Sequence, residues 1–178
     1  CGPRLRRTLT NPTMALLWHR EVDGVRYEVR TAGRTRRLYT DGVCHSQFNP
    51  ERPVGGSVWD LLMLPAFFLP RGSVRRVLVL GVGGGAAIRL LQHFIQPELI
   101  VGVELNPIHI AVARRFFGVG GAGVELHRAD AVQWMREYRG APFDLIIDDL
   151  FDGSDGVPAR AVPAGEAWFR TLLGALSP

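Results

Sequence analysis

The chain has 178 residues, 47% of them hydrophobic, and a formal net charge of +4. That is enough for a core of its own in one domain with a small appendage, and no apolar run approaches the ~20 residues of a membrane span. All 21 basic residues are arginine, a bias that suits codon composition better than a selected phosphate-binding face, and the densest cluster, "RTRR" at Arg34–Arg37, has no aromatic interleaving; nucleic acid is not an expected partner.

At the N-terminus, Arg4, Arg6 and Arg7 are followed by no apolar segment, so a secretory signal is not read there. Met14 is a candidate natural start that would leave residues 1–13 without a role in the fold. An extension is therefore expected over 1–16. The two cysteines, Cys1 and Cys44, form neither a disulfide framework nor a metal pattern, and a cytoplasmic, reducing setting fits them.

Residues 17–56 read as a small β-hairpin region. In "GVRYEVRTAG", Val25, Tyr27 and Val29 alternate with Arg26, Glu28 and Arg30, the period of a half-buried strand. A second short strand, "RRLYTDG", ends at the turn dipeptide Asp41-Gly42. "NPERPVGG" is a loop. A helix is expected over 57–69, with Ser57 as N-cap and with Pro65 interrupting the apolar run "LLMLPAFFL".

Beyond Arg76, short apolar runs alternate with helical stretches. The pairs are Val77–Leu80 with Ala86–Phe94, Leu99–Val103 with Pro107–Phe117, Val124–His127 with Val132–Tyr138, and Leu145–Ile147 with 165–173. Four βα units imply a doubly wound, mostly parallel sheet over residues 57–178, an α/β domain with right-handed crossovers. Its strands are mostly apolar, as strands covered on both faces should be.

The first turn of this sheet, "VLVLGVGGGAAIRLL", places Gly81, Gly83 and Ala86 in the G-x-G-x-x-G/A pattern between a strand and a helix. Glu104 ends the next strand, where an acid bonds ribose hydroxyls. Asp130 stands at the end of the third strand. The fourth ends in "FDLIIDDLFDG", with Asp148, Asp149, Asp152 and Asp155 close together and no basic residue among them. Ligands of open α/β sheets bind outside the carboxyl ends of the strands. A rim this acidic repels a pyrophosphate and suits a nucleoside with ribose hydroxyls, an adenine amino group and a positive centre.

These residues resemble the class I S-adenosylmethionine-dependent methyltransferase-like proteins, and within them the spermidine synthase (polyamine aminopropyltransferase) family. The motifs are "LYTDG" after a hairpin, "VLVLGVGGGAAIRLL", "VGVELNP", "RADAVQWM" and "FDLIIDDLFDG", in that order. The resemblance implies a class I methyltransferase-like Rossmann sheet behind an N-terminal β-hairpin region. It implies that Gly81, Gly83 and Gly85 pass close to the nucleoside, that Glu104 binds the ribose, and that Asp130 and Ala131 meet the adenine. Asp149 would be the catalytic carboxylate, and Asp152 would help to place the substrate amine. The implied reaction moves an aminopropyl group to a small-molecule amine. The implied group donor is decarboxylated S-adenosylmethionine or S-adenosylmethionine itself, with no metal.

Some positions depart from the family. Gly84 stands where the loop usually has an aspartate. His45 replaces a glutamine, with Gln47 nearby. In "SVWDLL", Asp60 takes the place of an acid, but no tyrosine precedes it. His45, Gln47 and Asp60 are therefore the candidate substrate residues, and two alternatives stay open: an S-adenosylmethionine-dependent methyltransferase, and a non-catalytic nucleoside-binding or assembly protein. The sequence stops at "TLLGALSP", where the family's sheet goes on to further strands. Homo-oligomerisation is left open. Consecutive strand residues face opposite ways, so Asp148 is expected on the other side of the sheet from Asp149, or bonded to an amide at the strand end. Replacing Glu104 is expected to remove a two-pronged ribose bond and leave folding intact.

Overall fold

The computed structural model describes residues 14–152 and 159–178. Residues 1–13 of the expected extension (1–16) lie outside them, as does Asp155; of Asp152 only the backbone is described. Four antiparallel strands form the N-terminal sheet as a meander: β1 (Ala15–Val22), β2 (Val25–Ala32), β3 (Thr35–Thr40) and β4 (Val43–Phe48). Its turns are two residues long, and Asp23-Gly24 and Asp41-Gly42 both have positive φ (52° and 78°, 46° and 83°). That is the primed turn whose twist matches the strands it joins. Alternation in the sequence marks only β2 and β3. The edge strand β1 is mostly exposed and starts at Ala15, inside the stretch expected as an extension. In β4 a bulge breaks the period: Tyr39 pairs with Cys44 and Leu38 with Ser46, so His45 is the inserted residue.

The expected helix over 57–69 is two shorter elements. Helix α1 (Val58–Leu62) begins at Ser57, and a 3-10 turn follows over Leu64–Phe68. Pro65, lacking an N–H, suits the first positions of that turn and cannot extend α1.

The second sheet consists of β5 (Arg76–Leu80), β6 (Leu99–Glu104), β7 (Val124–Arg128) and β8 (Leu145–Asp148), all parallel, in the order β7-β6-β5-β8. The helices between them are α2 (Ala86–Phe94), α3 (Pro107–Phe116) and α4 (Ala131–Glu137), and α5 (Glu166–Leu173) follows β8. After β8, Phe151–Asp152 pairs with Ala159–Arg160 as the short strands β9 and β10. Each expected βα unit is present, with ends within a residue or two. Near the C-terminus Leu176 bridges to Phe143 in parallel sense, just before β8.

Strand alternation divides the core. Val77 and Val79 face α2 and α3, while Leu78 and Leu80 face α4 and α5, packing on Met135, Trp168 and Leu172. The N-terminal sheet joins the first of these layers through Val29, Leu38 and Phe48, and Val29 and Leu38 are fully buried. Burying an aliphatic side chain of this size contributes roughly 1.5–3 kcal/mol. Trp18 packs against Phe116 with ring centroids 5.8 Å apart and planes tilted by 42°, and Arg36 donates to the Phe116 carbonyl. The docked sheet thus covers α3 and reaches the carboxyl end of β5, where the strand order reverses between β5 and β8. Among the described residues no helix is long and apolar enough to cross a membrane.

Candidate functional site

The glycine loop after β5 is fully paired with the protein. Gly81 N–H donates to the Val103 carbonyl (2.9 Å), and Gly85 N–H to that of Val82 (2.7 Å). Val82 and Gly83 donate to Oε2 of Glu104, at 3.0 and 2.8 Å. Gly84 donates to Oγ of Ser46 at 2.7 Å. A phosphate cradle needs a row of backbone N–H groups aimed outward. Here each amide from Gly81 to Gly85 has an internal acceptor, and a buried carboxylate, Glu104, occupies the position an anion would take.

The glycines are required by close approach. Gly81, Gly83 and Gly85 have φ of +83°, +54° and +85°. A Cβ at 81 would lie 2.3 Å from the Asp149 carbonyl oxygen, one at 83 would lie 2.6 Å from that of His45, and one at 85 would lie 2.4 Å from Val119 Cγ2. At Gly84 a Cβ would stand 2.8 Å from Ser46 Cβ and 3.0 Å from the Phe117 ring. The absence of an aspartate at 84 therefore has a steric cause: β4 and α3 fill the space its side chain would take.

Glu104, 8% exposed, also accepts from Asn106 N–H through Oε1 (2.8 Å). A carboxylate has about four acceptor positions, so three amides leave one, on Oε1. The expected two-pronged ribose bond would have to displace an amide. Removing Glu104 also leaves three backbone donors without their acceptor, a cost in stability beyond the loss of a ribose contact. His109 of α3 lies beside it, with Nδ1 3.8 Å from Oε1 and Nε2 2.9 Å from Thr40 Oγ1 of β3. Burial pushes the His109 imidazole down to about 4, so at neutral pH it is uncharged.

At the end of β8 the two acids separate as alternation requires. Asp148 turns to the α5 side, where Oδ2 accepts from Arg160 (2.6 Å) and from Trp168 Nε1 (2.8 Å) and Oδ1 accepts from Leu150 N–H (3.4 Å). Asp149 turns the other way and is partly buried. Burial, above all, pushes its carboxyl up to about 6. The charges of Asp148 and Glu104 push the same way, against a hydrogen bond donated by the Trp59 side chain. Trp59 was not among the candidates. The sequence signal was present, since a tryptophan holds the position directly before Asp60 in α1, but nothing in its spacing links it to β8.

Asp130 is exposed and caps α4 by accepting from Gln133 N–H (2.8 Å), and Ala131 is buried behind it. Of the candidate substrate residues, only His45 reaches this region; its ring lies 5.0 Å from that of His109. Gln47 is turned away from it. Its Oε1 accepts from Arg37 Nε at 2.5 Å, and it lines a separate cavity of about 210 Å³ with Thr35, Asn49 and Arg52. Asp60 is committed to its own turn, where Oδ2 accepts from the amides of Gly55, Gly56 and Ser57 at 3.1, 2.6 and 2.9 Å. A larger cavity of about 590 Å³ lies between α4 and α5, lined by Met135, Tyr138 and Arg170, and contains no candidate residue. No group of three or more His, Cys, Asp or Glu side chains among the described residues is placed to hold a metal ion.

No family model matches the chain. It is 31% identical over 138 residues to polyamine aminopropyltransferase 2 of Caldanaerobacter subterraneus subsp. tengcongensis, covering 76% of this chain and 44% of that protein. A probable spermidine synthase from Corynebacterium glutamicum superposes with a TM-score of 0.70 at 19% identity, over 90% of this chain and 60% of the other. A spermidine synthase solved in complex with the transition state analogue AdoDATO superposes at 0.67 and 18% identity, covering 90% of this chain and 54% of the other. The chain thus spans about half the length of the relatives it matches. Its similarity is to the polyamine aminopropyltransferases, as the order of its motifs indicates, and its fold is that of the spermidine synthases, class I methyltransferase-like.

Proposed function

We propose that this chain carries the nucleoside site and the acid of a spermidine-synthase-like transferase, which moves an aminopropyl group from a decarboxylated S-adenosylmethionine-type donor to a small-molecule amine. One juxtaposition carries the reading. At neighbouring strand ends, a glycine loop with no amide left for a phosphate meets a partly buried carboxylate, Asp149, whose pKa is raised.

In the proposed reaction the acceptor amine attacks the donor carbon next to the sulfonium. A C–N bond forms, the C–S bond breaks, and its electron pair stays on sulfur, so methylthioadenosine leaves neutral. The attacking nitrogen must lose a proton. Asp149, with a pKa of about 6, is ionised at neutral pH, attracts the cationic amine and then accepts that proton. Glu104 offers its remaining acceptor position to one ribose hydroxyl, and Asp130 and Ala131 border the adenine. Asp149 and Glu104 also favour the sulfonium charge, which neutral methylthioadenosine lacks, and so help product release.

Gly84 favours a second reading. With Ser46 and Phe117 against it, the loop carries no acid to select a purely cationic donor tail. S-adenosylmethionine and methyl transfer form that alternative. The test is to incubate the protein with putrescine and decarboxylated S-adenosylmethionine, and in parallel with S-adenosylmethionine. Methylthioadenosine from the first mixture is expected. S-adenosylhomocysteine with a methylated acceptor from the second mixture alone would replace aminopropyl transfer with methyl transfer.

A further inference from the structure

Ser46 lies between the two candidates His45 and Gln47, and it is fully buried although polar. The bulge at His45 gives it its position. With one residue inserted opposite Leu38 and Tyr39, the chain delivers the His45 carbonyl and the Ser46 hydroxyl to the same two loop residues, Gly83 and Gly84. Val103, Glu104 and Val82, the other acceptors of the loop amides, all belong to the parallel sheet or to the loop itself. Ser46 alone comes from the N-terminal sheet, some forty residues earlier in the chain.

We infer that Ser46 is a positioning residue of the nucleoside site: its hydroxyl fixes the glycine loop against β4 and so sets the height at which the loop passes the ligand. The inference rests on the nucleoside reading above. Gly84 has no Cβ and its neighbours Gly83 and Gly85 have positive φ, so the loop has no side-chain anchor of its own. Without Ser46, the Gly84 amide would be a buried donor with no acceptor, and it would be satisfied only by a shift of the loop. That shift would move Val82 and Gly83, the residues that hold Glu104. The N-terminal sheet then serves the donor side of the proposed reaction.

The test is calorimetric titration of methylthioadenosine into the protein and into Ser46→Ala, well below both melting temperatures. Binding should weaken by about tenfold in Ser46→Ala, the scale of one hydrogen bond to a buried donor. In turnover the loss should fall on KM for the donor, with kcat nearly unchanged. Ser46→Cys keeps the side-chain shape with a slightly larger atom and is a weak acceptor; it should weaken binding in the same direction, and it serves if Ser46→Ala does not fold. Gly84 amide exchange should quicken in both variants. A lower melting temperature with affinity within twofold of the parent would make Ser46 merely structural and overturn the inference. If the parent itself does not bind methylthioadenosine, the nucleoside reading fails and takes this inference with it.

Discussion

The ends of β5 and β8 are neighbours in one sheet, and both carry motifs that suggest a ligand, yet they solve opposite problems. At the end of β5 each loop amide from Gly81 to Gly85 has its acceptor inside the protein. The loop recognises by shape, and its glycines are where β4, Val119 and the Asp149 backbone need space. At the end of β8 the acids are divided. Asp148 is satisfied by Arg160 and Trp168, whereas Asp149 is half withdrawn from water and has a raised pKa. A binding surface gains from satisfied groups, because they hold its shape; proton transfer gains from a carboxyl partly withdrawn from water, because its proton affinity then moves toward neutral pH. Removing a charge at one end should therefore affect rate, and at the other end stability and affinity.

The largest effect is expected at Asp149. Asp149→Asn should lower turnover by about 10²–10⁴-fold, the usual contribution of a general base, while methylthioadenosine binds nearly as before. Asp148→Asn should instead lower stability, because it weakens the acceptor of a tryptophan and an arginine. Initial rates and thermal melts on both variants separate the two roles, and the reverse pattern would exchange them.

Glu104→Ala comes next. It leaves the amides of Val82, Gly83 and Asn106 without an acceptor, and a buried unsatisfied donor costs about 1–3 kcal/mol. A melting temperature lower by about 10 °C is expected, together with weaker nucleoside binding. Unchanged melting would mean that the loop does not depend on this carboxylate.

Two buried groups give opposite pH dependences. Asp149 has a raised pKa, so between pH ~4 and ~6 the unfolded chain releases a proton that the folded chain keeps, and stability falls as pH rises. His109 has a lowered pKa, so between pH ~6.5 and ~4 the unfolded chain gains a proton that the folded chain refuses, and stability falls as pH drops. The parent should therefore show a flat profile across this window. Asp149→Asn should expose the acid loss due to His109 and be more stable than the parent above pH 6, by about 3 kcal/mol. His109→Gln should expose the opposite slope. Denaturant midpoints at several pH values read both, and parallel profiles in all three proteins would contradict the account.

The smallest effect is expected at Trp59. Trp59→Phe keeps the ring and removes the donor to Asp149. The acid limb of the rate profile should move up by about half a pH unit, with affinity for the nucleoside unchanged.

What the sequence made legible divides along similar lines. The four βα units follow from apolar runs and helical spacing: β5, β6 and β8 are mostly apolar, as covered strands are, and the edge strand β7 mixes exposed Glu125 and His127 into its run. The opposite orientations of Asp148 and Asp149 follow from alternation alone. The bulge at His45 was not legible, because an inserted residue breaks the very period that marks a strand. Ser46 and Trp59 were missed for the same reason: each meets its partner across a long stretch of sequence, and no spacing rule encodes such a contact. Asp60 and Gln47 were singled out by position within a family pattern, whereas local backbone amides and Arg37 hold them elsewhere. The paired loop amides were invisible in "GVGGG", which reads alike whether its N–H groups face a phosphate or a carboxylate.

Whether the paired loop amides leave room for a pyrophosphate is decided by one experiment. Methylthioadenosine and NAD are titrated separately into the protein at neutral pH, with heat as the readout. Saturable binding of methylthioadenosine with no measurable binding of NAD is predicted, because Glu104 and Ser46 already hold the amides a pyrophosphate would need. Binding of NAD as tight as that of the nucleoside would contradict it.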